Sequence, residues 1–400
     1  MRIFIILLLT NLLIALLDFF SYKAINTSFN HILSKSLTAK LIFFSSTIIP
    51  LITLAWAFIH AYRFPEDIFF YNKFYIFFGL FVLIFLPKIN LSIFYGLQQL
   101  IIFITGKSFG IQWIGIGLAI LSFLFVLHGL TINKDRFEVR TTQIVSNKIP
   151  TSFDGFKIVQ ISDLHIGSFH KQTASIEKLI LQINELKPDL IVFTGDMVSN
   201  YAGETDEFIP ILKQLNASSG KYAILGNHDY GEYVRWKSES DYQNNLNQLM
   251  ENHKKMGFQL LNNNWVKIQK DSSYIQLLGV ENWGLPPFPQ YGEIDKIIPQ
   301  IDSTKFSILL SHDPSHWRAQ VLNFPFIDLT LSGHTHAMQF GLEIGSWQWS
   351  PVMWKYKEWG GLYENQQQKL YVNRGTGHIG LPGRIGIRPE ITLLELKSIS

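Results

Sequence analysis

The stretch Ile158-Val-Gln-Ile-Ser-Asp-Leu-His-Ile-Gly167 decides the fold of the larger, C-terminal part of this chain. Its first four residues form an apolar run, which predicts a buried strand. The run ends in Asp163-Leu-His165, an acid and an imidazole two residues apart. Open α/β sheets bind ligands in the crevice at the carboxyl ends of their strands, so both side chains can turn toward one point there.

Four more apolar runs end in polar residues of the same kind. They are 190–193 before Gly195-Asp196, 221–225 before Gly226-Asn-His-Asp229, 306–310 before Ser311-His-Asp313, and 327–331 before Gly333-His-Thr-His336. Five predicted strands therefore deliver Asp, Asn and His side chains to what we expect to be one rim of the fold.

The chain of 400 residues is long enough for more than one domain, at about 100–200 residues each. Its amino-acid composition differs among three regions. Residues 1–132 are dominated by Ile, Leu and Phe, residues 133–157 form a polar linker with an edge strand, and residues 158–400 resemble a soluble domain. The net charge of +3 gives no expectation of nucleic-acid binding, and no obligate protein partner is evident. Because the chain has no cysteine, thiolate ligands and disulfides are excluded.

The first 132 residues predict a multi-pass region of the cell membrane with about four helices. The candidate spans are 3–17, 41–61, 74–104 and 111–130. The third contains Pro87, so a kink there, or two short spans and a total of five, stays open. With four spans, six basic residues against four favour a cytoplasmic catalytic domain, whereas five spans would reverse this inference.

The remaining pattern predicts an α/β sandwich of two sheets with helices on the outer faces. An amphipathic helix over 176–186 separates the first two strands, and a strand, a helix and a strand with short connections predict parallel pairing. From residue 258 the pattern changes to short runs at 258–261, 265–269 and 274–280. These runs predict antiparallel hairpins in a second sheet.

Seven polar residues at the strand ends predict a site for two metal ions. They are Asp163, His165, Asp196, Asn227, His312, His334 and His336. Two ions can use seven such groups if one carboxylate is shared, and oxygen and imidazole donors without sulfur suit Mn²⁺, Fe²⁺ or Zn²⁺. Two ions about 3.5–4 Å apart clamp a phosphoryl group and turn a bridging water into a hydroxide near neutral pH. We expect Gly195, Gly226 and Gly333 to permit tight turns from strand to loop and to let the backbone approach a phosphate closely.

The ordered motifs Asp-x-His, Gly-Asp, Gly-Asn-His-Asp, a single His and Gly-His-x-His resemble those of the calcineurin-like metallophosphoesterase superfamily. Within it, the chain is similar to the bacterial membrane-associated branch of YkuE-like and YaeI-like phosphoesterases. Residues 370–375, 380–384 and 389–392 resemble the C-terminal signature of that branch. The resemblance covers residues 133–400, and it implies an αββα sandwich, hydrolysis of phosphoric ester bonds and a place in the inner membrane.

The resemblance also implies a role for each motif residue. Asp163, His165 and His336 bind the first metal, Asn227, His312 and His334 bind the second, and Asp196 bridges both. His228 is no ligand in the family; it protonates the leaving group or stabilises the developing charge, and Asp229 beside it orients the ring. Many relatives continue Gly-Asp with a further acid, whereas this chain has Gly195-Asp-Met-Val-Ser-Asn200, so contacts around the bridging ligand are expected to differ.

Two further features each have two interpretations. Arg384 fits a phosphate-binding fork or an ion pair with Glu390. Residues 347–359 contain four tryptophans with Lys355 and Lys357 between them. This composition fits an element in a membrane interface, where Trp and Lys are favoured, or an aromatic cluster packed on the sheet edge.

The predicted function is that of a membrane-anchored phosphoesterase with two metals. The bond that it cleaves is a phosphodiester or a pyrophosphate, and phospholipids and lipid-linked nucleotides are among the candidate substrates. The alternatives are a general phosphodiesterase acting on soluble esters and a membrane receptor or scaffold that kept the fold without catalysis. The completeness of the ligand set, together with His228, favours the enzyme.

Overall fold

The computed structural model of the protein describes residues 2–63, 70–345 and 347–399. By their internal packing they form two compact units, and the main boundary lies between Thr131 and Ile132. The N-terminal unit is helical. Its helices are α1 (Arg2–Ser28), α2 (Ile32–Lys35), α3 (Leu37–Arg63), α4 (Phe70–Thr105) and α5 (Gln112–Thr131).

Three stretches of the described residues are long and apolar enough to cross a membrane. They are Leu37–Ala57, Tyr71–Thr105 and Gln112–Asp135. Because α4 continues through Pro87 as one helix of 36 residues, the alternative of two short spans in this segment is wrong. The predicted first span lies in α1, where the side chains of residues 1–11 are outside the described part, so the count of four spans stays a prediction.

A buried ion pair joins three of these helices. Lys88 Nζ of α4 lies 2.9 Å from Asp18 Oδ1 of α1, and the hydroxyl of Thr47 in α3 donates to the same carboxylate oxygen at 2.9 Å. Charged side chains within apolar helices are costly unless they are paired. The pair therefore fixes the register of the three helices against one another.

The first sheet of the C-terminal unit contains six strands. In spatial order they are β1 (Glu138–Ser146), β14 (Glu390–Ser398), β2 (Lys157–Ile161), β3 (Leu190–Phe193), β4 (Lys221–Ala223) and β5 (Gln259–Leu260). β2 to β5 are parallel, as the strand–helix–strand pattern predicts, and β1 is an edge strand. Assigning 258–261 to the second sheet was wrong, because the crossover through helix α8 (Glu239–Lys255) returns this run beside β4.

The second sheet also contains six strands. In spatial order they are β12 (Gly361–Asn365), β13 (Gln368–Val372), β9 (Leu329–Ser332), β8 (Ser307–Leu310), β7 (Ser273–Gly279) and β6 (Asn264–Lys270). The predicted antiparallel hairpin of β6 and β7 is confirmed, but the central strands β7, β8, β9 and β13 are parallel. A separate hairpin consists of β10 (Leu342–Ile344) and β11 (Trp347–Trp349).

Helices cover the outer faces of the two sheets, so the predicted α/β sandwich is confirmed. The remaining helices are α6 (Thr173–Glu185), α7 (Ile209–Leu212), α9 (Ile294–Ile297) and α10 (Ser315–Ala319). β2 shows why its sequence is mostly apolar: Ile158 packs between the sheets, whereas Val159 and Ile161 pack under the helices. Each such buried side chain stabilises the fold by roughly 1.5–3 kcal/mol.

Candidate metal centre

The register of the paired strands aligns the ends of the strands that carry the polar motifs. β2 pairs with β3 up to Ile161 and Phe193, and β8 pairs with β9 up to Leu310 and Leu331. The polar segments that follow each strand therefore begin at the same height within their sheet. All seven predicted ligand residues meet in one cluster at this edge.

The first group of ligand atoms belongs to Asp163, His165, Asp196 and His336. These residues are buried, and one ligand atom from each lies within 4.8 Å of the others. The Nε2 atom of His336 lies 3.1 Å from both Asp163 Oδ1 and His165 Nε2. Burial lowers the pKa of both imidazoles, and neutral imidazole is the form that binds metals. Two carboxylates and two neutral imidazoles can thus hold a divalent cation.

The second group shares Asp196 with the first. Ligand atoms of Asp196, His312 and His334 lie within 4.8 Å of one another. The amide oxygen of Asn227 is 3.1 Å from His312 Nε2 and 2.8 Å from His334 Nδ1. Burial alone would lower the pKa of His312, but the Asp196 carboxylate at 3.2 Å outweighs it and raises the pKa to about 10. Asp196 is therefore the electrostatic link between the two groups.

Hydrogen bonds behind the imidazoles fix which ring nitrogen faces the cluster. His312 Nδ1 donates to the carbonyl oxygen of Thr194 at 2.7 Å, which turns its Nε2 toward Asp196 and Asn227 in the cluster. His334 Nε2 lies 2.8 Å from the Tyr356 hydroxyl and 3.4 Å from Asp313 Oδ2, which leaves Nδ1 for the cluster. Partners of this kind set the tautomer and orientation of metal-binding histidines.

Thr194, Asp313 and Tyr356 were missed by the sequence reasoning. Asp313 directly follows a predicted ligand, and an acid beside a candidate ligand histidine is a signal that could have identified it. Tyr356 comes from a loop beyond the last motif, and nothing in its sequence context indicates this contact.

The main chain of the cluster is conformationally unusual. Five of its seven residues have positive φ angles: Asp163 at 53°, His165 at 42°, Asp196 at 61°, His334 at 71° and His336 at 49°. Residues other than glycine rarely adopt positive φ angles. Such strain persists only where the surrounding structure enforces it, and it concentrates at functional sites. The angles indicate that the fold holds these side chains in place for a ligand.

The glycines of the motifs make room for the ligands themselves. A Cβ on Gly195 would lie 2.7 Å from His312 Nδ1 and 2.6 Å from the backbone nitrogen of Gly226. A Cβ on Gly333 would collide with the Asp163 carboxylate. These glycines are therefore required for packing inside the cluster, and their part in the approach of a phosphate stays a prediction.

His228 lies half-buried beside the cluster. Its ring contacts the rings of His165 and Tyr233, with centroids 4.9 and 4.5 Å away. His228 Nδ1 lies 2.8 Å from the carbonyl oxygen of Ser199. Because a carbonyl only accepts, Nδ1 carries the proton, and Nε2 is the nitrogen that can exchange a proton with a substrate.

The predicted role of Asp229 in orienting His228 is wrong. The Asp229 carboxylate accepts hydrogen bonds of 2.8–3.2 Å from the amide groups of residues 196–198 and of Gly226. Burial, with a further contribution from a neighbouring cluster carboxylate, raises the pKa of Asp229 to about 7. Asp229 thus holds the loop that carries the shared ligand, and the Ser199 carbonyl orients His228.

Arg384 matches neither of its predicted interpretations. The guanidinium is fully buried and donates to the backbone carbonyls of Arg374 at 2.6 Å, His336 at 3.1 Å and Gly377 at 2.9 Å. These bonds brace the loop that carries His336, and one guanidinium nitrogen also lies 3.4 Å from Nδ1 of the His336 ring.

The aromatic segment 347–359 divides into two parts. Trp359 is 7% exposed and packs with Val352 and Ile387 in a small core, as the packed-cluster interpretation predicts. Trp347 and Trp354 are 53% and 79% exposed, which that interpretation does not explain.

Comparison with known proteins gives consistent matches. The family model for calcineurin-like phosphoesterases matches residues 156–338, which include both groups of ligand atoms. The chain is 36% identical over 266 residues to the metallophosphoesterase YkuE of Bacillus subtilis, covering 65% of this chain and 86% of YkuE. It is 28% identical over 283 residues to a metallophosphoesterase of Aquifex aeolicus, covering 69% of this chain and 98% of that one.

A vertebrate protein is also similar. The chain is 29% identical over 286 residues to a transmembrane protein with a metallophosphoesterase domain from Danio rerio. The match covers 70% of this chain and 61% of that relative, so the chain spans less than two thirds of the relative's length.

Proposed function

Because the chain belongs to the calcineurin-like phosphoesterases and to their YkuE-like branch, we propose that this metal-dependent phosphoesterase uses two divalent cations. The observation that carries the proposal is the pair of ligand groups that overlap at Asp196. Carboxylates and imidazoles are costly to bury together without compensation, and divalent cations offset that cost. Mn²⁺, Fe²⁺ and Zn²⁺ all suit a donor set of oxygen and imidazole nitrogen.

Each ligand residue has a proposed place. Asp163, His165 and His336 would hold the first cation, Asn227, His312 and His334 the second, and Asp196 both. When bound, the cations supply Lewis acidity toward phosphoryl oxygens and a nucleophile at neutral pH. Asp229 and the hydrogen-bond partners of the imidazoles keep these side chains in place before the substrate arrives.

His228 is the proposed general acid. Its Nδ1 proton is held by the Ser199 carbonyl at 2.8 Å, so the proton for the leaving group must come from Nε2. The ring packs against His165, a ligand of the first group, and this contact keeps it at the edge of the cluster. General acid catalysis of this kind contributes about 10²–10⁴-fold in rate.

The proposed substrate is a phosphodiester or pyrophosphate at the membrane, in a phospholipid or a lipid-linked nucleotide. Support comes from the three candidate spans and from the short connection between α5 and the catalytic unit. An even number of spans would put the N-terminus and the catalytic unit on the same side, and the excess of basic residues there favours the cytoplasm. A general phosphodiesterase acting on soluble esters is the second candidate.

A substrate screen tests this function. The full chain is purified in detergent, loaded with Mn²⁺ and assayed on phosphomonoesters, phosphodiesters and pyrophosphate-linked lipids. We expect hydrolysis of at least one class and its loss in Asp196→Asn. A protein that binds two metals per chain but hydrolyses none of these esters would support the receptor or scaffold instead.

A further inference from the structure

An exposed apolar patch surrounds the β10–β11 hairpin and the turn that follows it. Its members are Met338, Leu342, Ile344, Trp347, Met353 and Trp354. The side chain of Ile344 is 69% exposed, and that of Trp354 is 79% exposed. A concentration of large apolar side chains on a protein surface marks an interaction site, whereas single ones are normal.

The polar side of the hairpin is fastened to the catalytic unit. Glu343 lies between two patch residues on β10, and side chains alternate between the faces of a strand. The Glu343 carboxylate pairs with Arg140 of β1 at 2.8 Å and also with the buried Arg374. These ion pairs fix which face of β10 points away from the domain, and that face is the apolar one.

The base of the hairpin lies beside the first residues after helix α5. Asn133, two residues beyond the end of α5, donates to the carbonyl oxygens of Arg384 at 2.7 Å and Ile387 at 3.2 Å. Between these two, the Ile385 carbonyl accepts from the amide of Gly341, which directly precedes β10. Two residues of chain reach at most about 7 Å, and the three residues of β10 extend about 10 Å. A short path of covalent and hydrogen bonds therefore joins the base of the patch to the chain that leaves α5.

We propose that the patch inserts into the lipid interface as a second membrane contact of the catalytic unit, next to the exit of α5. The composition fits this partner. Tryptophan is favoured at the boundary between lipid and water, and the exposed Lys355 and Lys357 follow the patch directly, where they can meet anionic headgroups. A second copy of the chain is the competing occupant, but it would not explain why the base of the patch is bonded to the residues that directly follow α5.

The patch is also joined to the metal cluster. Tyr356, two residues after Trp354, places its hydroxyl 2.8 Å from Nε2 of His334. Insertion of the patch would hold the cluster at a fixed height above the lipid. This consequence rests on the proposed function, since it matters only if the substrate is a membrane phosphate ester.

The absence of cysteine from the chain permits a direct test in the intact protein. Ile344→Cys and Trp354→Cys place a polarity-sensitive fluorophore in the patch. Leu181→Cys on α6 is the matched control, because Leu181 is 64% exposed and lies outside the patch. The full chain is reconstituted into nanodiscs of phosphatidylcholine and phosphatidylglycerol, with and without lipids that carry a doxyl quencher.

We expect doxyl lipids to reduce the fluorescence at positions 344 and 354 by more than about twofold, as for a probe buried 5–10 Å into the headgroup boundary. The emission should also shift to shorter wavelength, and position 181 should change little. Quenching no stronger at 344 and 354 than at 181 would overturn the proposal. A blue shift without quenching would also overturn it, because it would indicate a protein partner. Neither readout uses catalysis, so a failure here is distinct from a failure of the proposed function.

Discussion

His312 and His253 are both fully buried, but the first has charged surroundings and the second has apolar ones. His312 lies in the metal cluster, 3.2 Å from the Asp196 carboxylate, which raises its pKa to about 10. His253 of α8 contacts the rings of Phe193 and Phe258, each with its centroid 6.1 Å away, and burial lowers its pKa to about 4. Among the described residues, neither ring nitrogen of His253 has a hydrogen-bond partner.

The difference shows that burial of a histidine does not by itself indicate a site. In the metal cluster, carboxylate and amide oxygens lie opposite the imidazole nitrogens, and several of these residues have positive φ angles. At the interface of α8 with the first sheet, the ring packs as an apolar group, and its polar atoms remain uncompensated. A functional histidine is recognised by what lies opposite its ring nitrogens.

The largest effect should follow from removal of the shared carboxylate. Asp196→Asn retains the side-chain shape but removes the negative charge that both ligand groups use, so we expect loss of both metals and of activity. His334→Ala should mainly empty the second position, and His253→Phe should keep both metals. Elemental analysis of the three purified variants measures this. Full occupancy in Asp196→Asn would show that the two groups do not depend on a shared ligand.

The next effect concerns the proton that His228 is proposed to donate. We expect His228→Ala to keep both metals while turnover falls by about 10²–10⁴-fold, the range for loss of a general acid. The loss should be smaller for aryl esters, whose leaving groups need less protonation. Kinetics on an alkyl and an aryl ester compare the two. Equal losses on both esters would remove His228 from proton transfer.

A smaller effect should come from the hydroxyl behind His334. Tyr356→Phe removes the contact at 2.8 Å from Nε2 and should weaken metal binding at the second position by about tenfold, the low end for outer hydrogen-bond partners. Metal titrations at both positions give the affinities. Tyr291→Phe is the matched control, because its hydroxyl bonds to Glu232 outside the cluster. Equal affinities in both variants would contradict an orienting role for Tyr356.

The last expected effect concerns stability instead of the site, and it should appear only in acid, at His253. Its pKa is depressed in the folded state, so the unfolded chain binds the extra proton first as pH falls from 6.5 to about 4. Stability should therefore be complete above pH 6.5 and decline by up to about 3 kcal/mol toward pH 4, at 1.36 kcal/mol for each pH unit. His253→Phe should reduce this decline. Melting temperatures of both proteins at pH 7 and pH 5 test it, and identical declines would mean that His253 does not titrate on unfolding.

The sequence alone determined the features that depend on neighbouring residues. The apolar runs that end in Asp, Asn or His predict both the strands and the types of ligand, because a strand buried on both faces needs an unbroken apolar sequence. All seven candidate ligands meet as expected, since the ends of parallel strands share one edge of a sheet. The long apolar segments likewise predict membrane helices by length and composition.

Only the tertiary structure decided the contacts between distant segments. The run 258–261 joined the first sheet because a crossover helix returns it there. Asp229 bonds to main-chain amides instead of His228, and Tyr356 reaches His334 from a loop beyond the motifs. The division of the aromatic segment into a buried part and an exposed part also depends on packing. The local sequence determines which side chains follow the end of a strand. The hydrogen-bond and packing partners of these side chains depend on how elements distant in sequence pack around them.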